Sequence, residues 1–507
     1  MSSDELRSWI RSADDKSFRD HIIDFTNNSP RTRVRDLHGP IGAARDRCPV
    51  QPGSQSEIAG FADYRTMQVF SDRNQFSLLG FAEVRGGFGD ADVYSSSIHN
   101  ETIGQVWGET LLGMDGEQHR HYRDLIAYAF RRKALEPLRE KVVEPIVDGL
   151  IDRFAGLGRA DLVSDLTLLF PVYVIAELLG LPRRDVAQFT AWAVDTILIF
   201  HDPVKALAAS KLLADYIASQ ITERRRNPGE DMISQLIAAE VDGQHLSDQE
   251  IINFVRILLP AGAETTSRST SNLLFALMTQ PDQWADLRNN PELIDAAIEE
   301  GLRWEPPLTS LNRVAVADSE LAGVRIPPRS IVACNISAAN RDPSRWDRPD
   351  LFDIRRPQHA HVAFAHGPHT CLGMHLARME TRVVVEKLLR RIPDIELDTT
   401  EQAPEIRGIG FRSPLTLPVA FTPEGGDHQI RASDWTDADL LTLDDALNRL
   451  KSELEDALGE IATLRADDAG EDTISPAEQR ISAMRARIAH LGTRNRPTAP
   501  TQPTGGI

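Results

Sequence analysis

The sequence predicts a mostly α-helical protein with a small β-sheet region. Apolar residues recur at steps of three and four over long stretches such as 137–154 and 383–392, which is the spacing of one helical face. Strand-like stretches are few and short, and the clearest are 329–336 and 415–421. Apolar residues make up 41% of the chain, which is enough to fill a substantial core.

The chain divides into a large domain and a C-terminal extension. We expect a partly irregular N-terminal segment over 1–34 and a main domain over 35–422. A linker over 423–435 follows, where glycine, proline and polar residues indicate turns. Beyond it we expect a helical or coiled-coil extension over 436–491 and a disordered tail over 492–507.

The extension has the apolar spacing of a coiled coil. Its apolar residues alternate in steps of three and four: Leu440, Leu443, Leu447, Leu450, Leu454, Ala457, Ile461 and Leu464. Ser475, Pro476 and Glu478 then match the start of a further helix. Two interpretations stay open: a helix pair folded back on its own domain, and a segment for self-association or a protein partner.

Charge and apolar patterning exclude some classes of function. The net charge of −19 argues against non-specific nucleic-acid binding, because phosphates would be repelled. The N-terminus is polar, and the longest apolar run, 166–181, is shorter than the ~20 apolar residues of a membrane span. Cys48, Cys334 and Cys371 are odd in number and far apart, so no disulfide framework is predicted. We therefore expect a soluble, cytoplasmic protein without a nucleic-acid or membrane partner.

The segment around Cys371, "FAHGPHTCLGMHLARME", has the features of a ligand site. The residues after Cys371 have helical periodicity, so this thiol lies at a helix N-terminus, which is expected to lower its pKa and favour a metal-binding thiolate. Gly367 and Gly373 leave room for a flat ligand or permit a turn with positive φ. Phe364 is placed to pack on such a ligand.

Two other interpretations of this segment compete. His366, His369 and Cys371, with help from His359 and His361, are an alternative zinc site, although their spacing resembles none of the usual clusters. A buried structural cysteine is the other alternative, but it leaves the neighbouring glycines and histidine unexplained.

Written as F-x-x-G-x-H-x-C-x-G, residues 364–373 resemble the haem-binding loop of the cytochrome P450 family. The resemblance implies haem b as cofactor and Cys371 as the axial thiolate ligand of its iron. It also implies that Phe364, Gly367, His369 and Gly373 contribute to haem binding. Ala365 departs from the pattern, since the family usually has glycine there.

The stretch 258–278, "LLPAGAETTSRSTSNLLFALM", resembles the central oxygen-side helix of that family. Ala261 and Gly262 have almost no side chain, which leaves space for a diatomic ligand, and Pro260 predicts a kink. Glu264 and Thr265 form an adjacent acid–alcohol pair suited to relaying protons, so we expect them to be catalytic. Taken alone, the same residues also suit a close-packed helix contact.

Glu300 and Arg303 lie three residues apart, on one face of a predicted helix. Alone, such a pair is a routine surface ion pair. The resemblance instead implies a buried pair with a role in folding, completed by Arg356, with Arg355 as the alternative third member.

His119 and Arg123 lie four residues apart and share a helical face, which alone indicates an ordinary basic surface. Beside the other motifs they resemble the family's haem-propionate-binding helix. Arg313 and His369 match the remaining propionate-binding positions. The resemblance as a whole covers about residues 35–422.

The resemblance implies a haem-thiolate monooxygenase, an oxidoreductase that uses O₂ and two electrons to oxidise an apolar small organic molecule. Leu258, Ala261, Leu308, Leu311 and Phe411 match positions that border the substrate pocket. Haem-dependent peroxygenase or isomerase chemistry is the alternative within this class. A non-catalytic haem-binding scaffold that acts through the extension is the alternative outside it.

The electrons are expected to originate from NAD(P)H and to arrive from separate partners. Residues after Pro423 contain no cysteine for an iron–sulfur cluster and are too few for a flavin domain. A ferredoxin and a ferredoxin reductase are therefore the expected partners. A basic cluster offers a docking patch for an acidic ferredoxin, although a solvated helix face is the commoner explanation; its members are Arg120, Arg131, Arg132 and Lys133.

Overall fold

The computed structural model describes residues 2–13, 16, 19–23, 33–61, 70, 72–127, 130, 132–200, 202–424 and 458. The chain divides into two units, Met1–Glu424 and Gly425–Ile507. The predicted linker, coiled-coil extension and tail lie outside the described residues, apart from 423, 424 and 458. The architecture below is that of the first unit.

Helices dominate this unit, as the apolar periodicity predicts. In chain order they are α1 (Ser3–Ser12), α2 (His38–Arg47), α3 (Gln55–Ile58), α4 (Phe81–Gly89), α5 (Ile98–Glu101), α6 (Gly104–Trp107), α7 (Gly116–Ala127), α8 (Arg132–Leu138), α9 (Glu144–Phe154), α10 (Phe170–Leu178), α11 (Val186–Thr196), α12 (Pro203–Arg226), α13 (Met232–Ala238), α14 (Asp248–Leu259), α15 (Thr265–Thr279), α16 (Pro281–Asn289), α17 (Ile294–Trp304), α18 (Ile336–Ala339) and α19 (Met374–Arg391).

Shorter helical segments of other types connect some of these helices. Three have the wider π-helical geometry: Arg139–Val143, Val163–Thr167 and Pro260–Glu264. Five are 3₁₀ turns: Leu111–Gly113, Arg183–Asp185, Ile197–Phe200, Pro291–Leu293 and Gly367–His369. The first and third π-helical segments run directly into the α-helices on both sides.

The strands are short and scattered between the helices. They are β1 (Val50–Pro52), β2 (Gln75–Leu78), β3 (Tyr94–Ser95), β4 (Arg159–Asp161), β5 (Glu240–Val241), β6 (Gln244–His245), β7 (Ser310–Ala315), β8 (Ser319–Leu321), β9 (Val324–Ile326), β10 (Ile331–Asn335), β11 (Glu396–Leu397), β12 (Ile406–Arg407), β13 (Ser413–Pro414) and β14 (Pro418–Ala420). The two clearest predicted stretches contain β10 and β14. The predicted class, mostly α with a small β-sheet region, is confirmed.

Five strands form the largest sheet, in the order β1-β2-β10-β7-β3. β2 and β10 pair in parallel, and the other neighbours are antiparallel. In the β10–β7 register, Val332 lies opposite Arg313 and Cys334 opposite Leu311. The sheet thereby places two of the predicted site residues, Leu311 and Arg313, on one strand of the interior.

Capping residues explain where several helices begin. In α1 the hydroxyl of Ser2 accepts from the backbone N–H of Glu5, and the Glu5 carboxylate accepts from the N–H of Ser2. Ser247 and Glu250 form the same reciprocal arrangement at α14. Each box satisfies two backbone donors that a helix start otherwise leaves without partners.

Within the described residues of the N-terminal segment, α1 packs against the main domain. Helix α1 buries Leu6 and Ile10 against α9. A Cβ on Gly149 would lie 2.8 Å from the Arg7 carbonyl oxygen, so this glycine permits the close approach of the two helices. Arg7 also forms a two-bond ion pair with Asp152, with both distances 2.7 Å.

One large apolar core lies among α9, α10, α14, α15, α17 and α19, with a smaller one around the five-stranded sheet. Among the described helices, none combines the length and the apolar character that crossing a lipid bilayer requires.

Candidate active site

Cys371 lies in the loop that leads into α19, as the sequence predicts. Its backbone N–H donates to the Phe364 carbonyl oxygen at 3.0 Å, which closes the loop on itself. The backbone N–H groups of Gly373 and Met374 donate to the Cys371 sulfur at the start of the helix. The thiol therefore faces the positive end of a helix, where a negative charge is stabilised.

The expected low pKa of this thiol is wrong for the structure as it stands. Burial raises the pKa of Cys371, and this effect outweighs the two backbone N–H groups and the nearby Arg123 and Arg378, which lower it. The Cys371 side chain is nevertheless accessible, so it borders an internal open space rather than packed protein. A metal cation bound at the sulfur would supply the counter-charge that a thiolate needs there.

Glycine occupies the two loop positions, 367 and 373, for different physical reasons. Gly367 has φ +75°, and a Cβ there would lie 2.9 Å from both the Gly89 Cα and the Phe88 carbonyl oxygen. Glycine is thus required at that position by the fold itself. Gly373 has no such constraint, since a Cβ there would meet only the Cys371 sulfur, at 4.0 Å. The room beside Gly373 opens towards the thiol, where a flat ligand would lie.

Ala365, which departs from the family pattern, has φ +60°. This is the left-handed region that favours glycine, and a residue with a Cβ costs roughly 1 kcal/mol there. The loop thus adopts a left-handed backbone conformation at position 365 although the residue there is alanine.

The alternative zinc site is not supported by the geometry. His366 accepts from Arg85 at 3.3 Å, His369 contacts Asp115 at 3.1 Å, and His361 lies 3.3 Å from Glu299. Each of these histidines thus has a different partner. In the described part of the chain, no group of three histidine, cysteine or acidic side chains is arranged to hold a metal ion.

The four residues predicted to bind propionates lie in one region. The rings of His119 and His369 are 4.1 Å apart between centroids. Arg123 donates from Nη2 to the Thr370 carbonyl oxygen at 2.7 Å, directly beside Cys371. Arg313 is buried and donates to the carbonyl oxygen of its neighbour Asn312 at 2.9 Å.

Two further residues of this region were missed in the sequence. Asp115 accepts from Ser95 Oγ at 2.6 Å and from the Ser96 N–H at 2.9 Å, and it holds His369. Burial alone would raise the pKa of Asp115, but the hydrogen bonds from His369, Ser95 and Ser96 lower it overall. His99 is the second, and its hydrogen bond to the backbone of Asn312 depends on how α5 packs against β7, so nothing local indicates it.

Burial lowers the pKa values of two histidines of this cluster, His99 and His119. It lowers the pKa of His99 to about 3, assisted by the charges of Arg313 and His369. It lowers the pKa of His119 to about 4, assisted by His369 and Arg123. The pKa values of the Arg123 and Arg313 guanidinium groups are lowered by burial as well.

This cluster has an excess of positive charge. In the described part of the chain, Arg123 and Arg313 are hydrogen-bonded to backbone carbonyls and to no carboxylate. Asp115 is the carboxylate whose charge acts on His99, His119 and Arg313. Two guanidinium groups without bonded anions, the buried Arg313 and the half-buried Arg123, fit the two propionates of a haem. With the space at Gly373 and the accessible thiol, the residues present fit the cofactor that the resemblance implies.

The oxygen-side helix is interrupted where the sequence predicts a kink. Pro260–Glu264 forms a π-helical segment between α14 and α15. Ala261 is exposed although Pro260 and Ala263 beside it are buried, so it faces the open interior space. Gly262 instead faces α10, where a Cβ would lie 3.1 Å from Ile175. Of the two small residues, only Ala261 leaves space on the open side.

The acid–alcohol pair follows immediately. The Thr265 hydroxyl donates to the Ala261 carbonyl oxygen at 2.7 Å. Glu264 Oε1 accepts from Arg268 Nε at 3.2 Å and from Nη2 at 2.8 Å. The hydroxyl and the carboxylate thus have separate partners on the helix.

A cavity of about 80 Å³ adjoins Glu264 and Arg268. Its walls come from α11, α14, α15, β13 and the N-terminal residues Ile22 and Ile23, and most of them are apolar. Cys371, Ala261 and Thr265 are not among the residues that line it.

The residues predicted to border the substrate pocket lie on several different elements of the fold. Leu308 and Phe411 form an isolated antiparallel bridge, and Leu311 lies on β7. Leu258 is buried in the main core. The Phe364 ring packs beneath the guanidinium of Arg378, at 4.5 Å from its centroid.

Glu300 and Arg303 form a buried ion pair, with Nε to Oε2 at 2.7 Å. Arg356 is the third member, with Nε 3.0 Å from Glu300 Oε1. Arg355 pairs instead with Asp286 at the surface. The buried triad that the resemblance implies is present, with Arg356 as its third member.

The basic cluster is described only in part. Arg120 lies 3.6 Å from Glu117 on the exposed face of α7. Arg131 and the side chains of Arg132 and Lys133 lie outside the described residues.

Comparison with known proteins identifies the chain's relatives. Residues 187–408 match the family model described as Cytochrome P450. A putative cytochrome P450, YjiB of Bacillus subtilis, is 36% identical over 339 residues, covering 64% of this chain and 84% of YjiB. The cytochrome P450 monooxygenase PikC of Streptomyces venezuelae is 40% identical over 294 residues, covering 57% of this chain and 70% of PikC. The crystal structure of CYP109E1 from Bacillus megaterium with testosterone superposes with a TM-score of 0.68 at 28% identity, covering 76% of this chain and 99% of that one.

Proposed function

This chain belongs to the cytochrome P450 family and is a monooxygenase, and from that premise we propose that it oxidises an apolar small organic molecule with electrons from a separate ferredoxin. Its cofactor is haem b, and its electrons originate from NAD(P)H and arrive through redox partners. When bound, the haem supplies the activation of O₂ and the oxidation of the substrate.

In our proposal, residues of this chain bind the haem at its iron and at its two propionates. Cys371 would supply its thiolate to the haem iron, and Ala261, Phe364, Gly367 and Gly373 would border the cofactor. The propionates are bound by His119, Arg123, Arg313 and His369. The observation that carries this assignment is the excess of positive charge at the half-buried Arg123 and the buried Arg313, beside an accessible thiol.

Thr265 and Glu264 move protons to the oxygen side of the site. Because the Thr265 hydroxyl donates to the Ala261 carbonyl oxygen, its own oxygen is left to accept a hydrogen bond from water. Glu264 is the adjacent acid that exchanges protons with that water. Both residues are catalytic in this proposal.

The substrate class rests on the surroundings and on a relative. Leu308, Leu311 and Phe411 contribute apolar surface near the proposed site. The Bacillus megaterium relative was crystallised with testosterone, which is mostly apolar. We therefore propose an apolar organic molecule as the substrate of this chain.

The ferredoxin assignment rests on charge complementarity. Arg120 is exposed on α7, the helix that also carries His119 and Arg123. An acidic ferredoxin docked there would associate more slowly as salt increases. An association rate independent of ionic strength would contradict this docking site.

The first experiment is the carbon monoxide difference spectrum of the dithionite-reduced protein. We expect the red-shifted Soret band that thiolate-ligated haem produces. Cys371→Ser should lose that band, whereas Cys48→Ser should keep it. A wild-type band at the position of histidine-ligated haem would contradict the assignment of Cys371.

The second experiment replaces the proposed relay alcohol. Thr265→Ala should keep haem but yield roughly tenfold less product per NADPH and correspondingly more peroxide, because protons reach the oxygen site less efficiently. Thr265→Ser, which keeps the hydroxyl, is the matched control and should remain close to wild type. Equal product per NADPH in wild type and Thr265→Ala would remove Thr265 from the relay.

A further inference from the structure

Arg268 connects the proposed relay acid to a distant part of the chain. It lies one helical turn after Glu264 on α15 and donates to Oε1 of that carboxylate from Nε and Nη2. Its third nitrogen, Nη1, donates to Ser413 Oγ on β13 at 2.9 Å. The guanidinium carbon also lies 5.5 Å from the centroid of the Phe411 ring.

These contacts are largely shielded from solvent. The Arg268 side chain is 12% exposed and that of Glu264 is 16% exposed. An ion pair in such surroundings is screened less by water and salt than a surface pair, so its geometry is better defined. Three nitrogens of one planar group thus bind two elements of the fold at once.

The contacts leave one carboxylate oxygen available. Both hydrogen bonds from Arg268 end on Oε1, and the described residues provide no partner for Oε2. Glu264 also lines the cavity of about 80 Å³, which has room for water. Some cavity-lining hydroxyls are already bonded within their own helices, such as Ser271 to the Ser267 carbonyl oxygen. Oε2 of Glu264 is therefore available to accept a hydrogen bond from water in the cavity.

Glu264 lines this cavity, whereas Ala261 and Thr265 do not. Residues one apart lie about 100° apart around a helix, so Glu264 and Thr265 point in different directions. Arg268, four residues after Glu264, lies on the same side as Glu264. The ion pair holds the carboxylate on the cavity side, while Thr265 has its own bond to Ala261.

We propose that Arg268 is a positioning residue for proton delivery, which ties Glu264 to the Phe411–Ser413 segment of the proposed substrate pocket. A proton from solvent reaches Oε2 of Glu264 through cavity water and passes on through water towards Thr265, so the water and the carboxylate both return to their starting states. The position of the carboxylate depends on the Phe411–Ser413 segment through Arg268. This inference rests on the proposed relay role of Glu264 and goes beyond it.

Arg268→Lys tests whether the hydrogen-bonded link between Glu264 and Ser413 is needed, or only the positive charge at position 268. Lysine keeps the cation but has a single terminal nitrogen, which cannot reach Glu264 with two bonds and Ser413 with a third. Ser413→Ala removes only the far end of the bridge. Ser267→Ala is the matched control, because Ser267 lines the same cavity and has no hydrogen bond to Arg268.

The measurement is the O₂ consumed and the peroxide formed per NADPH, with the holoenzyme and spinach ferredoxin and its reductase. No substrate is required, since O₂ reduction partitions between peroxide and water. We expect Glu264→Gln, Arg268→Lys and Ser413→Ala to increase the peroxide-to-water ratio about three- to tenfold, and Ser267→Ala to leave it unchanged. The double variant Glu264→Gln/Arg268→Lys should resemble Glu264→Gln alone, because both changes affect one path.

A second readout is independent of turnover. The infrared carboxylate stretch of Glu264, obtained as wild type minus Glu264→Gln, should shift in Arg268→Lys and in Ser413→Ala. A purely structural role of Arg268 would leave the peroxide ratio unchanged even if stability fell. If Glu264→Gln increases the peroxide ratio but Arg268→Lys and Ser413→Ala do not, the inference is overturned and the relay role stands. If Glu264→Gln has no effect, the relay role itself fails.

Discussion

Two buried clusters of charge in this protein differ in how their charges are balanced. In the first, which we call the balanced cluster, Glu300 accepts from Arg303, Arg356 and the backbone N–H of Asp353. The remaining donors of Arg303 end on carbonyl oxygens, such as that of Pro349 at 2.7 Å. Every charge in this cluster has a partner within the chain.

The second cluster, which we call the cationic cluster, consists of His99, His119, Arg123, Arg313 and His369. Asp115 holds His369, but neither arginine is bonded to a carboxylate in the described part of the chain. Burial of these cations costs free energy that their backbone partners offset only in part.

The difference teaches how to separate folding from binding in a buried charge cluster. A balanced cluster needs no ligand, because its internal ion pairs and hydrogen bonds offset the free-energy cost of removing its charges from water. A cluster with excess charge requires an external partner of opposite sign. In our proposal the haem propionates are that partner, so the two clusters should respond oppositely to substitution and to removal of the haem.

The largest effect is expected in the balanced cluster. Glu300→Ala should lower the free energy of unfolding by about 3–5 kcal/mol, because it leaves two buried arginines without their anion. The loss should be similar with and without haem, and urea unfolding measures it. Arg355→Ala, which breaks only the exposed pair with Asp286, should cost no more than about 1 kcal/mol. Equal costs for the two variants would show that burial does not distinguish them.

An opposite response is expected at Arg313. Arg313→Met should leave the stability of the haem-free protein equal or higher, since a buried cation without a bonded anion is replaced by an apolar side chain. Haem affinity should fall roughly 10- to 100-fold, because charge-assisted hydrogen bonds to a propionate are lost. Haem transfer to apomyoglobin measures the affinity.

The exposed Arg325, paired with Asp318, provides the control for that substitution. Arg325→Met should not change haem affinity. A haem affinity of Arg313→Met equal to that of wild type would place Arg313 among residues that only support the fold.

The smallest effect concerns pH. The pKa of His99 is about 3 in the folded protein and about 6.5 when unfolded, so the unfolded chain binds more protons between these values. The stability of the haem-free protein should therefore fall as the pH falls from about 6.5 towards 3. The groups that act on His99 are Arg313, His369, Asp115 and the Asn312 backbone.

His99→Gln should reduce the stability lost between pH 7 and pH 5 by about 1–2 kcal/mol, measured by urea unfolding of the haem-free protein. The exposed His245 is the matched control, and His245→Gln should preserve the wild-type pH dependence. Bound haem should reduce the pH dependence in wild type, since the propionates stabilise a protonated His99. If His99→Gln leaves the pH dependence of the free energy of unfolding unchanged, the burial of His99 beside cations is not the cause of that dependence.

Much of the fold and part of the site could be predicted because the signals are local. Helical periodicity predicted the class, and the loop around Cys371 predicted a thiol at the start of a helix. The capping box of Ser2 and Glu5 was also readable but was overlooked, so α1 was not predicted. Gly262 was assigned to the open space because its sequence position does not show which side of the helix it faces.

The sequence by itself determined which residues bring chemistry to the site: a thiol before a helix, an acid beside an alcohol, and a basic helical face. The tertiary structure decided their charge balance and their connections. His369 meets Asp115 across 254 positions, and Arg268 meets Ser413 across 145. Local patterns cannot predict such contacts, because they depend on how distant helices and strands pack. Burial, which raises the Cys371 pKa and lowers that of His99, is likewise a property of the packed molecule alone.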